Sequence, residues 1–441
     1  MSTLNAQQRA AVRHIDGPLL VLAGAGSGKT RVITEKLAYL IDACGYRPGH
    51  LFALTFTNKA AREMKTRAAA LLGGKRPKGL TVSTFHTLGL DMLRREHARL
   101  GYRHNFSLLD GHDSLALLRE LMRGETVAGE DERARERISR WKSALVDSET
   151  ALAQAEDARA LYRARLYARY ERALRAYNAV DLDDLVVRPV RLLQGDAEAR
   201  ERWQNRVRHL LVDEYQDTNE AQYQLVRLLI GVREGLTAVG DDDQSVYAWR
   251  GAQPENLAQL ARDFPRLEVI KLEQNYRSTG RILKAANRLI AHNPHVFEKR
   301  LWSALGYGDP IRVIACRDGD AEAQRVVAEI LHHRFTHRTR LGEYAILYRG
   351  NHQARPFERV LREHQIPYYL SGGTSFFERT EIKDVMAYLR LAANLDDDAA
   401  FLRIANTPRR ELGPTTIERL GAFARERGTS LVSAALEPDL A

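Results

Sequence analysis

The stretch PLLVLAGAGSGKTRV, residues 18–32, decides the fold of this chain. Its first six residues are an apolar run of the length and composition of a buried parallel strand. Three closely spaced glycines follow, and residues 29–40 then show helical periodicity. A strand that passes through a glycine-rich turn into a helix can cradle phosphates, because backbone N–H groups and the helix N-terminus face the same anion.

This turn satisfies the pattern [AG]-x4-G-K-[ST], with Ala23 in place of the glycine of the stricter form. We expect Lys29 to reach the β- and γ-phosphates and Thr30 to bind Mg²⁺. The alternative, an ordinary glycine turn, is disfavoured by the flanking strand and helix. The loop residues expected to hold the nucleotide are Ala23, Gly24, Ala25, Gly26, Ser27, Gly28, Lys29 and Thr30.

Outward from this turn, strand and helix patterns alternate. Residues 51–55 and 79–83 are typical of strands, and residues 60–72 are typical of the helix between them. After a long helical segment, strand patterns return at residues 209–212 and 236–239. Such alternation predicts an α/β fold with a parallel sheet and helices on both faces.

Two other regions differ from this one in composition and predicted secondary structure. Residues 86–208 are rich in Ala, Leu, Arg and Glu, and residues 133–140 and 151–177 are typical of exposed helices that carry both charge signs. A second α/β region begins near residue 272, with strands predicted at 310–315 and 343–348. The first region therefore reads as a helical insertion that interrupts one α/β domain.

Two carboxylates follow the apolar run at residues 210–212. In an open α/β sheet this end of a strand faces the ligand crevice. We expect Asp213 to hold Mg²⁺ through water and Glu214 to orient or deprotonate the attacking water. The alternative is a solvated acidic strand end without a function. The presence of a phosphate loop in the same chain favours the catalytic interpretation.

The segment GDDDQSVYAWRGA, residues 240–252, combines a polar sensor with aromatic side chains. The neutral amide of Gln244 can hydrogen-bond a γ-phosphate. Tyr247 and Trp249 can stack on bases, at about 1–3 kcal/mol per base, and Arg250 can contact a backbone phosphate. The alternative is that both aromatic residues belong to the core.

Bulk properties narrow the class of protein. The net charge of +10 favours a polyanionic partner. Two cysteines, a polar N-terminus without the apolar core of a signal peptide, and no apolar run of about 20 residues predict a cytoplasmic protein with no membrane segment.

These motifs, in this order, resemble the superfamily 1 DNA helicases of the UvrD/Rep type. The stretches that carry the resemblance are LNAQQRAAV, AGAGSGKTRV, LTFTNKAAREM, TVSTFHTLG, LLVDEYQDTN, VGDDDQSVYAWRGA and KLEQNYRS. The resemblance implies a P-loop (RecA-like) motor domain with a helical insertion, an incomplete second RecA-like domain, and the start of its helical insertion. The corresponding ranges are 1–85 and 209–275 for the first motor domain, 86–208 for its insertion, 276–375 for the first half of the second motor domain, and 376–441 for the second insertion.

The resemblance also implies roles for single residues. Gln8 would read the adenine edge, Tyr276 would stack on the base, and Arg31 would help to hold the nucleotide. Arg277 would act as an arginine finger. The residues implied to contact single-stranded DNA are Phe56, Asn58, Thr84, His86, Tyr247, Trp249 and Arg250. For His86 taken alone, a buried and hydrogen-bonded histidine is the simpler interpretation.

The function implied by the resemblance is ATP- and Mg²⁺-dependent 3′→5′ translocation on single-stranded DNA, with duplex unwinding. Expected partners are single-stranded DNA and its junctions with duplex, and also a second copy of the chain or replication proteins. Two motifs that the family carries further along are absent from these 441 residues, so we expect slow hydrolysis from this chain alone. The alternatives are a truncated module that only binds ATP and single-stranded DNA, and the ATPase part of a helicase–nuclease.

Overall fold

The computed structural model describes residues 4–74, 77–122, 129–247, 251–253, 255–293, 297–371 and 379–437. The chain divides into two compact units. The first comprises Met1–Asp309 and Ala387–Ala441, and the second comprises Pro310–Met386.

The strands of the first unit follow the alternation expected from the sequence. They are β1 (Leu19–Ala23), β2 (Leu51–Thr55), β3 (Thr81–Thr84), β4 (Ser107–Leu109), β5 (Ala179–Asp181), β6 (His209–Val212), β7 (Leu236–Gly240), β8 (Glu268–Leu272), β9 (Gln274–Asn275) and β10 (Trp302–Ser303). Within the described residues, six of them form one sheet in the order β3-β2-β6-β7-β1-β8, and every neighbouring pair is parallel.

The β1 strand shows why the sheet is buried on both faces. All five of its residues are buried. Leu20 and Leu22 pack into a core on one face of the sheet, and Leu19 and Val21 pack into a second core on the opposite face. This is the pattern of an apolar run without polar alternation, covered on both sides by helices. The predicted parallel α/β fold is confirmed.

The helices of the first unit lie between and around these strands. They are α1 (Ala6–Arg13), α2 (Lys29–Asp42), α3 (Asn58–Leu71), α4 (Phe85–Glu96), α5 (Gly111–Leu121), α6 (Glu130–Ser143), α7 (Ser148–Ala153), α8 (Ala158–Ala176), α9 (Asp184–Gly195), α10 (Ala197–Arg206), α11 (Glu220–Ile230), α12 (Glu255–Asp263) and α13 (Gly280–Ile290). The second unit holds α14 (Gly319–His337) and α15 (Ala354–Glu363). The helix α16 (Thr380–Ala393) passes from the second unit into the first, where α17 (Asp398–Ile404), α18 (Pro414–Arg427) and α19 (Leu431–Ala435) follow.

The helical segment after β3 differs from the sequence prediction in two ways. Residues 151–177 are not one exposed helix: α7 ends at Ala153, and Asp157 caps a new helix by accepting the Ala160 N–H at 2.7 Å. Both helices bury one face in a shared core with α6. The segment also contains the parallel pair β4–β5, which the sequence analysis did not predict.

The strands predicted at residues 310–315 and 343–348 are wrong for the described structure. Neither stretch has strand hydrogen bonding, and the side chains of residues 311–316 are exposed. An apolar β-type pattern makes a strand only where another strand offers its N–H and C=O groups for pairing. No described residue supplies that partner here.

No helix within the described residues has both the length and the apolar character required to cross a membrane.

Candidate nucleotide-binding site

The parallel sheet brings the predicted residues to one edge. Because all six strands run the same way, the segments that leave their carboxyl ends meet along the same side of the molecule. The glycine-rich loop of residues 23–30, the P-loop, follows β1. The Asp213–Glu214 pair follows β6, and Gln244 follows β7. These are three adjacent strands in the sheet.

The P-loop turns sharply between β1 and α2. Gly26 and Gly28 have φ values of +70° and +93°, which side chains with a Cβ rarely adopt. Ser27 closes the loop on itself, its hydroxyl donating to the Gly24 carbonyl at 2.7 Å. Gly28 caps α2 without a side chain, so the first N–H groups of this helix face the loop. The loop therefore has the shape of an anion cradle.

Lys29 joins the three strand ends. Its ammonium donates to the Glu214 carboxylate at 2.9 Å and to the Gln244 amide oxygen at 3.1 Å. The lysine is 9% exposed, whereas the Glu214 side chain is 35% exposed. Glu214 has a left-handed backbone, with φ of +51° and ψ of +46°, which costs a residue with a Cβ about 1 kcal/mol. The strained turn aims its carboxylate at the P-loop lysine.

Asp213 lies directly beside this network but is buried, with 4% exposure. Its carboxylate accepts the Glu214 N–H at 3.0 Å. Burial, followed by the charge of Glu214, raises the pKa of Asp213 to about 7, although Lys29 opposes the shift. A buried carboxylate whose ionised form is disfavoured gains strongly from a nearby cation. Carboxylate and hydroxyl oxygens are suitable Mg²⁺ ligands, so Asp213 and the half-buried Thr30 fit that ion.

The N-terminal segment reaches the P-loop from the opposite side. Gln8 is 1% exposed, and its side-chain amide donates to the Ser27 carbonyl at 2.8 Å. Asn5 and Gln8 form a reciprocal cap at the start of α1, which fixes the glutamine rotamer. Asn5 also donates to the Tyr276 hydroxyl at 2.9 Å.

Tyr276 and Arg277 follow β9 and lie over the same loop. The Tyr276 N–H donates to the Gly26 carbonyl at 2.9 Å, and 48% of this tyrosine is exposed. Arg277 is also exposed, and a Cβ placed on Gly26 would lie 2.8 Å from the Arg277 Cβ. The remaining predicted nucleotide residues lie in or next to the loop: Ala23 ends β1, Ala25 accepts a hydrogen bond from Asn275, and Arg31 is exposed on α2.

Four of the residues predicted to contact DNA lie at or just after the carboxyl ends of β2 and β3, the strands at one side of the sheet. Phe56 is half-buried and packs against Phe85, with ring centroids 5.7 Å apart. Asn58 is exposed at the start of α3. His86 is exposed at the start of α4, although partial burial of its side chain lowers the pKa of the imidazole. The Thr84 hydroxyl caps α4 by accepting the Thr87 N–H at 3.1 Å.

Tyr247 belongs to residues 240–252, the sensor segment that contains Gln244, and is 39% exposed. Trp249 and Arg250 lie outside the described residues, so their assignment to DNA stays a prediction.

Two residues at the site escaped the sequence analysis. Gln216 donates to Glu214 at 3.0 Å and accepts the Asp241 N–H at 2.9 Å, which ties the β6 and β7 turns together. Asn275 donates to the Ala25 carbonyl at 2.5 Å and accepts the N–H groups of Arg277 and Ser278. Both lie inside motifs already singled out, and their amide side chains within two residues of charged residues were the available signal.

Comparison with known proteins identifies the class of protein that this fold and site define. Residues 4–265 match the model of the UvrD/REP helicase N-terminal domain, and residues 270–437 match the UvrD-like helicase C-terminal domain. The chain belongs to the UvrD/Rep family of helicases.

Among individual proteins, the chain is similar to the ATP-dependent DNA helicase Rep of Salmonella typhimurium and of Escherichia coli. It is 56% identical to each over 442 aligned residues, which cover 99% of this chain and 65% of each relative. It is 39% identical to the ATP-dependent DNA helicase PcrA of Staphylococcus aureus, covering 100% of this chain and 60% of that protein. The chain thus spans about two thirds or less of the length of these relatives.

Proposed function

We propose that this chain forms the nucleotide-hydrolysing and strand-gripping part of an ATP-dependent DNA helicase that moves 3′→5′ along single-stranded DNA and unwinds duplex. The observation that carries the proposal is the contact of Lys29 with both Glu214 and Gln244, which come from neighbouring strand ends. The printed names of the relatives, ATP-dependent DNA helicases Rep and PcrA, support the same function.

The contacts of Lys29 suggest how a nucleotide would act on the site. A γ-phosphate is a stronger partner for an ammonium than a neutral amide or a half-exposed carboxylate. On binding, it would replace Glu214 and Gln244 as the partners of Lys29. Glu214 would then be free to orient and deprotonate water. The Gln244 side chain would turn so that its amide N–H, which donates to Asp241, donates to the γ-phosphate.

Mg²⁺ would be held by Asp213 and Thr30, and when bound it would neutralise charge on the phosphate oxygens. Around the nucleotide, Gln8 would contact the adenine edge, Tyr276 would stack on the base, and Arg31 would support binding. Arg277, whose Cβ lies next to Gly26 of the P-loop, would act as the arginine finger on the γ-phosphate. These roles are supported by the placement of all four residues around the P-loop and α2.

Single-stranded DNA would lie along the edge formed by the segments after β2, β3 and β7. Phe56, Tyr247 and Trp249 would supply stacking, and Asn58, Thr84, His86 and Arg250 would supply polar contacts. The direction of travel, binding to junctions with duplex, a role at replication forks, and a second copy or replication proteins as partners rest on the family resemblance. Because its proposed substrate is DNA, we propose that the protein is located in the cytoplasm.

Replacement of the P-loop lysine tests nucleotide use. Lys29→Ala should weaken binding of a fluorescent ATP analogue by at least about tenfold and abolish phosphate release, because the phosphates lose their charge-assisted contacts. Lys65→Ala, which removes an exposed lysine of α3, is the matched control and should behave as the wild type. Unchanged ATP binding by the Lys29 variant would remove the basis of the proposal.

Replacement of the sensor-segment tryptophan tests the grip on DNA. Trp249→Ala should weaken single-strand binding by about 1–3 kcal/mol while ATP affinity stays nearly constant. Fluorescence anisotropy with a labelled oligonucleotide measures the first quantity. If the variant instead unfolds, Trp249 is a core aromatic residue and not a stacking residue.

Extension of the chain tests unwinding. Because the chain spans about 65% of the length of the Rep relatives, we expect slow hydrolysis alone. Joining it to the remaining sequence of such a relative should raise DNA-stimulated hydrolysis and add unwinding of a 3′-tailed duplex. Vigorous hydrolysis by the 441 residues alone would contradict this expectation.

A further inference from the structure

Lys299 lies in a segment to which the sequence motifs assign no role, yet its side chain is only 3% exposed. Its ammonium contacts three consecutive carboxylates of the sensor segment: Asp241 at 2.6 Å, Asp243 at 3.0 Å, and Asp242. The backbone N–H of Phe297 donates to Asp242 at 3.3 Å. The segment 297–299 is therefore docked on the turn that leaves β7.

The three carboxylates are close enough together to resemble a metal site. The lysine ammonium already occupies their centre and supplies the positive charge that such a cluster requires. Burial lowers the pKa of Lys299, but the carboxylates, Asp241 first, outweigh it and raise the pKa above the ordinary value. Lys299 therefore stays positively charged and holds the three aspartates of the turn that leaves β7.

Asp241 links Lys299 to the phosphate sensor. One carboxylate oxygen binds Lys299, and the other accepts the side-chain N–H of Gln244. The Asp241 carbonyl accepts the Gln244 backbone N–H at 2.9 Å. The rotamer of Gln244, and with it the amide oxygen that faces Lys29, is set by an aspartate that Lys299 holds in place.

The other end of the Lys299 segment leads to the arginine finger. Residues Trp302 and Ser303 form β10, which pairs in parallel with Gln274 and Asn275 of β9, the strand immediately before Tyr276 and Arg277. Leu301 packs on the P-loop so closely that a Cβ on Gly24 would lie 2.2 Å from its Cδ2 atom. One short segment therefore contacts the P-loop, the turn that leaves β7 and the strand that precedes Arg277.

We propose that Lys299 is a positioning residue that couples Gln244 to the β9–β10 pair, so that the γ-phosphate sensor and the arginine finger respond to the nucleotide together. This inference rests on the proposed function of the site. When a γ-phosphate draws the Gln244 amide away from Asp241, the Asp241 carboxylate loses one of its two partners and shifts against Lys299, which passes the shift to the segment ahead of Arg277.

The test compares ATP with ADP, because only a residue that acts through the γ-phosphate sensor discriminates between them. In wild type, Lys299→Met, Gln244→Ala and the double variant, the ratio of ATP to ADP affinity is measured with fluorescent analogues. Lys299→Met and Gln244→Ala should each reduce this ratio by about fivefold or more. The double variant should match Gln244→Ala within about twofold, because both act on one pathway.

Lys271→Met is the matched control. Lys271 donates to the Glu298 carbonyl at 2.7 Å, so it holds the same segment without touching the aspartates. Its ratio should stay within about twofold of the wild-type ratio. Equal weakening of ATP and ADP by Lys299→Met, or fully additive effects in the double variant, would overturn the proposal. If Lys299→Met does not fold, Lys299→Gln replaces it with the same expected outcomes, because a neutral amide cannot hold three carboxylates together.

Amide hydrogen exchange separates this inference from the proposed function. The N–H groups of Asp243 and Gln244 bond to Asp241, so Lys299→Met should accelerate their exchange and Lys271→Met should not. Unchanged exchange overturns the coupling without any nucleotide being added. Faster exchange with an unchanged ATP-to-ADP ratio also overturns it, because the contact is then only structural. A wild-type chain that binds neither nucleotide refutes the function instead.

Discussion

Lys36 shows how a single buried amine is held by carbonyl groups outside the nucleotide site. It lies on α2 with no exposed surface, and its ammonium donates to the Ala11 and His14 carbonyls at 3.0 and 2.5 Å. These are carbonyl groups at the C-terminal end of α1, where positive charge is favoured. The lysine therefore fixes α1, which carries Gln8, to the helix that begins at the P-loop.

Burial lowers the pKa of Lys36 to about 7 from 10.5. Between these pH values the unfolded chain binds a proton that the folded protein has released, so the free energy of unfolding should rise with pH there. The slope from this residue is at most about 1.4 kcal/mol per pH unit. Urea denaturation across this window should show that Lys36→Met removes the slope. An equal pH dependence in both proteins would contradict the shift.

At the scale of elements, the contact between α4 and α9 is closer than side chains normally permit. Gly89 lies in α4, and a Cβ built on it would be 1.7 Å from the Leu185 carbonyl oxygen. A glycine inside a helix lowers stability. Gly89 offsets this cost because the absence of a Cβ lets α4 and α9 approach closely. These helices join the sheet edge at β3 to the helical insertion.

We expect Gly89→Ala to destabilise the protein by about 1–3 kcal/mol or more, because α9 must move away. Gly195→Ala is the control, since Gly195 ends α9 and a Cβ there has no atom within 4 Å. The control should be neutral or stabilise by up to about 1 kcal/mol. Thermal denaturation of both variants measures the difference, and equal melting temperatures would argue against the close contact.

The acidic run at residues 181–184 belongs to a buried charge cluster. Lys142 of α6 is 1% exposed and contacts Asp181 at 2.8 Å, Asp184 at 3.1 Å and Glu171 at 2.8 Å. Arg188 contacts two of these carboxylates, Glu171 at 2.5 Å and Asp184 at 3.0 Å. The Asp181 side chain also accepts the Asp184 N–H at 2.9 Å, at the first turn of α9. The cluster ties α6, α8, β5 and α9 together.

Lys142→Met should destabilise the protein by about 3–5 kcal/mol, because three buried carboxylates lose their main counter-charge. Arg140→Met, on the same helix but exposed, should stay within about 0.5 kcal/mol of the wild type. Chemical denaturation provides both values. A small effect at Lys142 would mean that the carboxylates are protonated or hydrated in solution.

At the scale of the whole molecule, the net charge of +10 and the proposed DNA edge predict a salt-dependent interaction. The logarithm of the association constant for single-stranded DNA should fall linearly with the logarithm of salt, at about −0.7 per phosphate neutralised. Anisotropy titrations at several salt concentrations measure this slope. A peptide nucleic acid of the same base sequence should show almost no slope, and equal slopes for both would exclude phosphate contacts.

The central sheet and most of the candidate site were predictable because their signals are local. The runs at 19–23, 51–54 and 210–212 are apolar throughout, which is the pattern of a strand covered on both faces. The P-loop glycines and the carboxylates at a strand end are equally local. Parallel pairing then brings the ends of β1, β6 and β7 to one edge without further information.

Other features depended on partners far away in the sequence. The strands expected at 310–315 and 343–348 were wrong because apolar pattern does not reveal whether a pairing strand exists. The β4–β5 pair joins segments about 70 residues apart, and each strand has only three residues. The contact of Lys142 with Asp181 likewise depends on how α6 packs, which no spacing rule encodes.

The sequence by itself determined the parallel α/β sheet, the phosphate loop and the residue types of a nucleotide site, because each follows from short-range patterning and backbone stereochemistry. Only the tertiary structure decided that Lys29 engages Glu214 and Gln244 together, and that Lys299 holds Asp241 behind the sensor. The two bonds of Lys29 join residues that are 185 and 215 positions apart in the sequence, so they depend on the folded geometry of the strand ends.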